Sequence, residues 1–293
     1  MRRAAIILWI LVLIGCGGAV KRRTKVDTPP AYELAKTASL QDLVQLINER
    51  YAAIESLSVS SLKVDFVSGS VEKGYLEEYR SAKAYSVAKL PDSIFVNILN
   101  PLTNSTVITM AADGDNFQIW VPRENKYLIG KTSVKLEEEN PIFNVRPHHL
   151  LQGILVERIP VDTVGYRYFL EETQDPRFKY YVVGVIELQG SWDTVQLVRK
   201  LWIERSTMYL TRQHYYDSGE LISAISYTDS IEVNGMLVNS EIEIERKREN
   251  YRIRFELAKG TVKVNHPIKE GAFEVPRPPG AELVVVEEKT TDK

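Results

Sequence analysis

The chain has 293 residues, of which 44% are hydrophobic and 26% charged, so it can bury a sizeable core. That length allows one large β domain or two small ones. The formal net charge is −2, and the lack of a basic surplus argues against a nucleic-acid partner. Cys16 is the only cysteine in the sequence. An internal disulfide is therefore excluded, and stability has to come from packing.

The first residues have the pattern of a secretory signal. Arg2 and Arg3 open the chain, residues 4–15 are apolar apart from one glycine, and Cys16 follows. A membrane-spanning helix needs about 20 apolar residues, so this run predicts a signal peptide over residues 1–15 instead. The sequence Leu13-Ile14-Gly15-Cys16 resembles the lipobox of bacterial lipoproteins.

This resemblance implies cleavage before Cys16, which then carries a covalent diacylglycerol and an N-acyl chain such as palmitate. The alternative is an ordinary signal that happens to contain a cysteine. Residues 16–37 predict a lipidated N-terminus and a tether, whose basic residues either contact anionic headgroups or are simply solvated. In some bacteria an aspartate after the cysteine retains a lipoprotein in the inner membrane. Gly17 stands at that position, so we expect the outer membrane and a periplasm-facing protein.

A helix is predicted over residues 39–55. Ser39 is a favourable N-cap, and Asp42 lies in the first turn, where the helix dipole favours a negative charge. Apolar residues recur every three or four positions, namely Leu40, Leu43, Val44, Ile47, Tyr51 and Ile54. The opposite face lacks the basic residues of a membrane-surface helix, so we expect this helix to pack against a sheet.

From Leu57 onward the apolar residues recur with a period of two, which is typical of β-strands. Strands are predicted around residues 62–66, 94–98, 106–112, 117–121, 127–129, 180–188, 195–204, 209–216, 221–229, 242–244 and 251–257. Asp113-Gly114 and Asn234-Gly235 mark tight turns between them. Eleven or more strands without a βαβ rhythm predict a mainly β domain over residues 38–288, built as one curved antiparallel sheet or open barrel. Residues 289–293 are predicted to be a tail.

One mid-chain segment, residues 141–155, breaks this β pattern. Pro147 is favourable at a helix start, and Leu150, Leu151 and Ile154 follow at helical spacing. A short helix inside an otherwise all-β chain is either a lid or plug of the barrel or a plain crossover. Both interpretations remain open at this point.

Motifs for catalysis are lacking in the sequence. His148 and His149 are neighbours, so on a helix they point about 100° apart and do not form a metal pair. The chain has no phosphate loop, nucleophile elbow or His-Glu-x-x-His motif. We therefore expect a protein that is not an enzyme and needs no metal or other cofactor, although two distant carboxylates leave a glycosidase pair open.

Several segments resemble the LolA/LolB-like superfamily of bacterial lipoprotein carriers and receptors. They are an N-terminal helix before a long strand, the loop Asn100-Pro101-Leu102, the Asp113-Gly114 turn, and the C-terminal segments 264–268 and 273–276. The resemblance implies a half-open antiparallel β-barrel, closed by helices around an apolar cavity for acyl chains. It further implies that Leu102 is the protruding leucine that enters the membrane in the lipid-anchored receptor branch. Thr103 replaces the glycine that often follows this leucine.

We therefore expect an outer-membrane lipoprotein that binds acyl chains or lipoproteins, received in turn from a soluble periplasmic carrier. The predicted cavity residues are Ile94, Val96, Ile98 and Trp120 on strands, with Leu150, Leu151 and Ile154 on the mid-chain helix. For each of them ordinary core filling is the alternative. The alternative function is a lipid-anchored binding, sensor or envelope-assembly protein that docks a protein partner with the same fold and transfers nothing.

Overall fold

One large sheet organises the computed structural model of the chain. The structure describes residues 35–70, 75–134, 141–161, 163–189 and 194–287. These residues belong to one compact unit, Leu34–Lys293. The predicted signal peptide, Cys16, nearly all of the predicted tether and the predicted tail lie outside the described residues.

Within these ranges the chain forms 15 strands and two α-helices. The helices are α1 (Leu40–Arg50) and α2 (Pro147–Ile154), and short 3₁₀ turns lie at Pro122–Glu124 and Pro141–Asn144. The strands are β1 Ser56–Ser70, β2 Tyr75–Lys89, β3 Ser93–Leu99, β4 Thr106–Asp113, β5 Asn116–Val121, β6 Lys126–Lys131, β7 Tyr166–Gln174, β8 Lys179–Gln189, β9 Thr194–Glu204, β10 Leu210–Asp217, β11 Glu220–Val233, β12 Met236–Arg246, β13 Tyr251–Leu257, β14 Val262–Val264 and β15 Glu282–Val286.

The sheet consists of two meanders that are joined by one long-range pairing. Strands β1 to β6 follow one another in space, as do β7 to β13, and β1 pairs with β13 between them. In this pairing Val64 lies opposite Phe255 and Phe66 opposite Ile253. The order of strands ends at β7 on one side and at β15 on the other, so the sheet is curved but not closed. The predicted half-open, mainly β, antiparallel barrel is confirmed, except that β15 pairs with β6 in parallel.

Helix α1 begins where the sequence predicts and ends earlier. Ser39 and Asp42 form a capping box, in which the Ser39 hydroxyl accepts from the Asp42 amide and the Asp42 carboxylate accepts from the Ser39 amide. The helix stops at Arg50 instead of Glu55, and Tyr51 starts a turn. The Tyr51 hydroxyl accepts a hydrogen bond of 3.0 Å from the Leu210 amide. This tertiary bond fixes Tyr51 beside β10, which helical periodicity alone does not anticipate.

Helix α2 lies inside the curve of the sheet and contacts both meanders. It packs against β3 and β4 from the first meander and against β12 from the second. A Cβ atom on Gly153 would lie only 2.7 Å from Cγ1 of Ile244, so glycine permits the close approach to β12. Leu150, Leu151 and Ile154 are buried in the main core. Because the helix fills space between two walls, it is a plug in the sense predicted from the sequence.

A second, smaller apolar cluster lies on the other face of the first meander. Ala111 and Tyr127 face away from the main core and are covered by Val275 and Ala281 from the C-terminal segment. The Tyr127 hydroxyl donates a hydrogen bond of 2.6 Å to the Val275 carbonyl oxygen. Both faces of the first meander are thus covered in part. Among the described helices, neither is long and apolar enough to cross a membrane.

Candidate functional site

An apolar cavity opens between the first meander and β13. Its volume is about 240 Å³. Val145, in the segment before α2, contributes to its wall. The strand and loop residues around it are Val64, Phe66, Glu78, Tyr79, Arg80, Ala82, Ile98, Asn100, Pro101, Val107, Ile108, Met110 and Ile253. Most of these side chains are aliphatic or aromatic, so the cavity suits a hydrocarbon group.

A β-bulge in β2 brings charge to this cavity. Phe66 pairs with Tyr79 and Val64 with Ala82, which leaves two residues of β2, Arg80 and Ser81, opposite one residue of β1. Ser81 has a positive φ of 53°, and its amide donates a hydrogen bond of 2.6 Å to a carboxylate oxygen of Asp65.

The extra residue places Arg80 at the cavity. Its Nε lies 2.7 Å from a carboxylate oxygen of Glu78, and both side chains are exposed to solvent. A cavity with an apolar interior and an exposed ion pair at its edge matches an amphiphilic ligand with its polar end outward.

The β3–β4 connection forms an ordered tip beside the same cavity. The Asn100 side-chain oxygen accepts hydrogen bonds from the amides of Leu102 (2.9 Å) and Thr103 (3.1 Å). The Asn100 amide donates to the Ser105 carbonyl oxygen across the base of the loop, at 2.8 Å. Leu102 projects from this turn with 89% of its surface exposed. Leu102 is therefore an exposed aliphatic side chain on a loop that is ordered by its own hydrogen bonds.

The predicted cavity residues fall in three places. Ile98 lines the cavity, whereas Ile94 and Val96 lie further along β3 and are fully buried in the core. Leu150, Leu151 and Ile154 face the core from α2 and are not part of the cavity wall. Trp120 lies on the opposite face of the sheet, because Ile119 and its alternate neighbours occupy the inner face of β5. Trp120 therefore packs on the outer cluster and does not line the cavity.

Most of the residues that line the cavity were not among those predicted from the sequence. Val64, Phe66 and Ile253 belong to strands whose alternation is visible in the sequence, but only the β1–β13 pairing brings them together. Tyr79 and Arg80 lie on β2, which the sequence analysis did not predict as a strand. The one feature of the sequence that could have indicated a strand here is the aromatic residue Tyr79. In the structure the centroid of its ring lies 6.3 Å from that of Phe66.

A buried polar group of side chains lies next to the cavity, beyond Phe66. The ring of Phe66 packs beside that of Tyr251, with their centroids 6.1 Å apart. Nδ1 of His149 lies 2.9 Å from the Tyr251 hydroxyl oxygen, within hydrogen-bond distance. Burial, followed by the positive charges of Arg246 and Arg146, lowers the pKa of His148 to about 3. Burial also lowers the pKa of His149 well below its ordinary value, with the neighbouring His148 as the next cause. Both imidazoles are therefore neutral at neutral pH.

The described residues contain no group of three His, Cys, Asp or Glu side chains that could hold a metal ion. Cys16, the predicted lipidation site, lies outside them. The candidate site in the described residues therefore consists of an apolar cavity, an exposed ion pair and an exposed aliphatic side chain.

No family model matches the sequence, and no curated protein matches it either. Solved structures do share its architecture. A DUF1329 family protein from Desulfovibrio piger is 13% identical with a TM-score of 0.50, over 80% of this chain and 94% of that one. A LolA superfamily protein from Nitrosomonas europaea is 13% identical with a TM-score of 0.49, over 82% of this chain and 99% of that one.

An outer membrane lipoprotein-sorting protein domain from Vibrio parahaemolyticus is 9% identical with a TM-score of 0.49, over 80% of this chain and 95% of that one. At these identities the similarity concerns the fold alone.

Proposed function

We propose that this chain is a lipid-anchored protein of the outer membrane that holds an acyl chain in its apolar cavity and passes it on. The observation that carries the proposal is the position of the cavity. Asn100 and Pro101, which line it, also form the base of the tip that exposes Leu102. An apolar binding site and an apolar contact point thus share one loop. In this proposal Leu102 enters a bilayer or an incoming partner while the acyl chain moves.

The energetics of this proposal rest on burial of hydrocarbon. Each methylene moved from water into an apolar site contributes about 0.8 kcal/mol, so a few methylenes give appreciable affinity. An apolar cavity of about 150 Å³ in another protein stays dry and binds benzene, and the cavity here is larger, at about 240 Å³. Exchange then depends on the relative affinities of donor and acceptor for the chain. It involves no covalent step and no cofactor.

The proposed location in the envelope is supported by the N-terminal sequence. We propose cleavage before Cys16, lipidation of that cysteine, and sorting to the periplasmic face of the outer membrane because Gly17 replaces a retention aspartate. The acyl chain reaches the cavity as part of a lipoprotein or a lipid, delivered by a soluble periplasmic carrier. The supports are the form of the leader and the resemblance of the Asn100-Pro101-Leu102 loop to the receptor branch.

The proposal is tested by lipid that co-purifies with the protein. Mass spectrometry of the purified full chain should detect non-covalent acyl lipid, and Val107→Trp should reduce its amount because Val107 lines the cavity. Ile222→Trp is the matched control, since Ile222 is also half-buried but lies outside the cavity wall. Equal lipid in both variants, or none in the unsubstituted protein, would favour the alternative of a docking protein that transfers nothing.

A further inference from the structure

Three aliphatic side chains are the most exposed large hydrophobic residues in the described part of the chain. Leu102 is 89% exposed, Val164 80% and Val195 63%. Leu102 follows the end of β3, Val164 lies just before the start of β7, and Val195 is the second residue of β9. All three are therefore at strand ends and not on a sheet face.

The topology places these three residues at the same edge of the sheet. Between β3 and β7 the strand order is β3-β2-β1-β13-β12-β11-β10-β9-β8-β7, and every adjacent pair in it is antiparallel. Strand direction alternates along this order, so β9 and β7 run opposite to β3. The start of β9 and the start of β7 therefore lie at the edge where β3 ends.

Val164 and Val195 are also close to each other across β8. Leu188 of β8 pairs with Val195 on one side, and its amide donates a hydrogen bond of 2.7 Å to the Gly165 carbonyl oxygen on the other. Neighbouring strands are about 4.8 Å apart, so the two valines are roughly two strand spacings apart. They form one apolar tip at the far end of the edge that carries Leu102.

We infer that Val164 and Val195 form a second contact with the bilayer, so that this edge meets the membrane at two separated points. The inference rests on the proposed function of Leu102. The exposed aliphatic residues are separate tips and not one patch, and a flat bilayer can receive separate tips along one edge at the same time. The turns between the two tips at this edge carry basic residues, such as Lys247 of the β12–β13 turn, and acidic ones, such as Glu220 at the β10–β11 turn. The charge there has both signs, so the inference rests on the aliphatic tips.

The proposed lipid anchor is compatible with this orientation. The chain enters the domain at the opposite edge, where the Lys36 amide donates to the Arg205 carbonyl oxygen next to the end of β9. The 11 residues of β9 span about 36 Å at 3.3 Å per residue. The segment from Cys16 to Lys36 can span at most about 70 Å when fully extended. The segment is therefore long enough to let the Leu102 edge face the membrane in which Cys16 is anchored.

The test measures membrane depth at each tip in the lipidated full chain. Leu102→Cys, Val164→Cys and Val195→Cys are labelled with an environment-sensitive thiol dye and reconstituted in vesicles of phosphatidylethanolamine and phosphatidylglycerol. Asn234→Cys, in the turn at the opposite edge, and Val285→Cys, 53% exposed on β15, are the matched controls. The unsubstituted protein controls for labelling of Cys16.

The dye at all three positions of the two tips should show blue-shifted emission and should be quenched by brominated lipid, and the dye at the two control positions should show neither. Quenching at Leu102 with no change at Val164 and Val195 would overturn the second contact and leave the proposed function intact. The absence of quenching at Leu102 as well would contradict the proposed membrane role of that loop. Quenching of equal strength at Asn234 would show that the protein lies on the membrane without a preferred edge, which also overturns the inference.

Discussion

The hydroxyl of Tyr227 donates a hydrogen bond of 3.1 Å to the carbonyl oxygen of Gly153. The same hydroxyl accepts from the side-chain amide of Gln213, whose oxygen accepts from Nε of Arg199 at 3.0 Å. Arg199 also donates from Nη1 to the Glu157 carbonyl oxygen at 3.0 Å. This buried series of bonds fastens α2 and the segment after it to β9, β10 and β11. The plug is therefore hydrogen-bonded to the wall of the second meander.

Tyr227→Phe should destabilise the protein by about 1–3 kcal/mol, because it leaves the Gly153 carbonyl and the Gln213 amide buried without their partner. Chemical denaturation of the full chain measures this loss. Tyr209→Phe is the control, since Tyr209 is 41% exposed and its substitution should change the free energy of unfolding by less than about 0.5 kcal/mol. Equal effects of the two substitutions would show that the buried bonds do not hold the plug.

Gly153→Ala should destabilise the protein by about 1–3 kcal/mol through overpacking against Ile244. Ile244→Val by itself should lower stability by about 0.5–1.5 kcal/mol. The double substitution should be less destabilising than the two single effects together, because the valine lacks the terminal methyl that the new Cβ meets. Strict additivity in this double-mutant cycle would contradict the proposed close contact between α2 and β12.

Leu102→Glu should leave the thermal midpoint unchanged, because the side chain is 89% exposed and makes no core contact that could be lost. Membrane association or acyl transfer should fall, since a carboxylate cannot enter hydrocarbon without a large desolvation penalty. Thr103→Glu adds the same charge to the same loop while keeping the leucine, and should retain more activity. Unchanged transfer in Leu102→Glu would remove the proposed role of this tip.

The buried histidines predict a loss of stability in mild acid. Their pKa values are lowered on folding, to about 3 for His148, so the unfolded chain takes up protons first as the pH falls below about 6.5. For His148, stability is therefore fully present above pH 6.5 and declines between pH 6.5 and about 3, by up to about 1.4 kcal/mol per pH unit. The lowered pKa of His149 adds to the loss in the same direction. His148→Gln should flatten this decline, whereas His266→Gln, at an exposed position, should not. The same slope in all three proteins would contradict the prediction.

Cys16→Ser should give an uncut or soluble precursor that takes up no acyl label. The prediction rests on the lipobox resemblance and on Cys16 being the only cysteine. Metabolic labelling with radioactive palmitate, followed by membrane fractionation, is the measurement. Normal labelling of the variant would contradict lipidation at this residue, and co-fractionation of the unsubstituted protein with inner-membrane markers would contradict outer-membrane sorting.

Alternation of apolar residues predicted those strands that expose one face. In β13, Tyr251, Ile253 and Phe255 are buried while the residues between them are exposed. Strand β2 has the same geometry but was not predicted. Its inner face carries alanines, at Ala82, Ala84 and Ala88, which lack the β-branched and aromatic character of a strand signal. Strand β7 was missed because it is an edge strand with a largely polar, exposed sequence.

The candidate site depends on contacts that local pattern does not contain. The exposed loop leucine could be predicted because Pro101 interrupts the strand pattern before it. The cavity wall could not, because it combines strands from both ends of the chain through the β1–β13 pairing. Trp120 was predicted to line the cavity, yet along β5 it lies on the same face as Gln118, away from the buried residues Phe117, Ile119 and Val121. The covering residues Val275 and Ala281, more than 150 positions later, make the outer face apolar there.

The parallel pairing of β15 with β6 bears on the order in which the protein is made. Glu282 lies beside Lys126, so the outer edge of β6 has no partner while the residues between them are being synthesised. An unpaired strand edge is a site for pairing with other chains, and pairings between distant residues form slowly. A nascent chain that has emerged as far as Pro276 would still expose both the β6 edge and part of the cluster around Tyr127. A factor that binds open strand edges would therefore protect this chain until its final strand arrives.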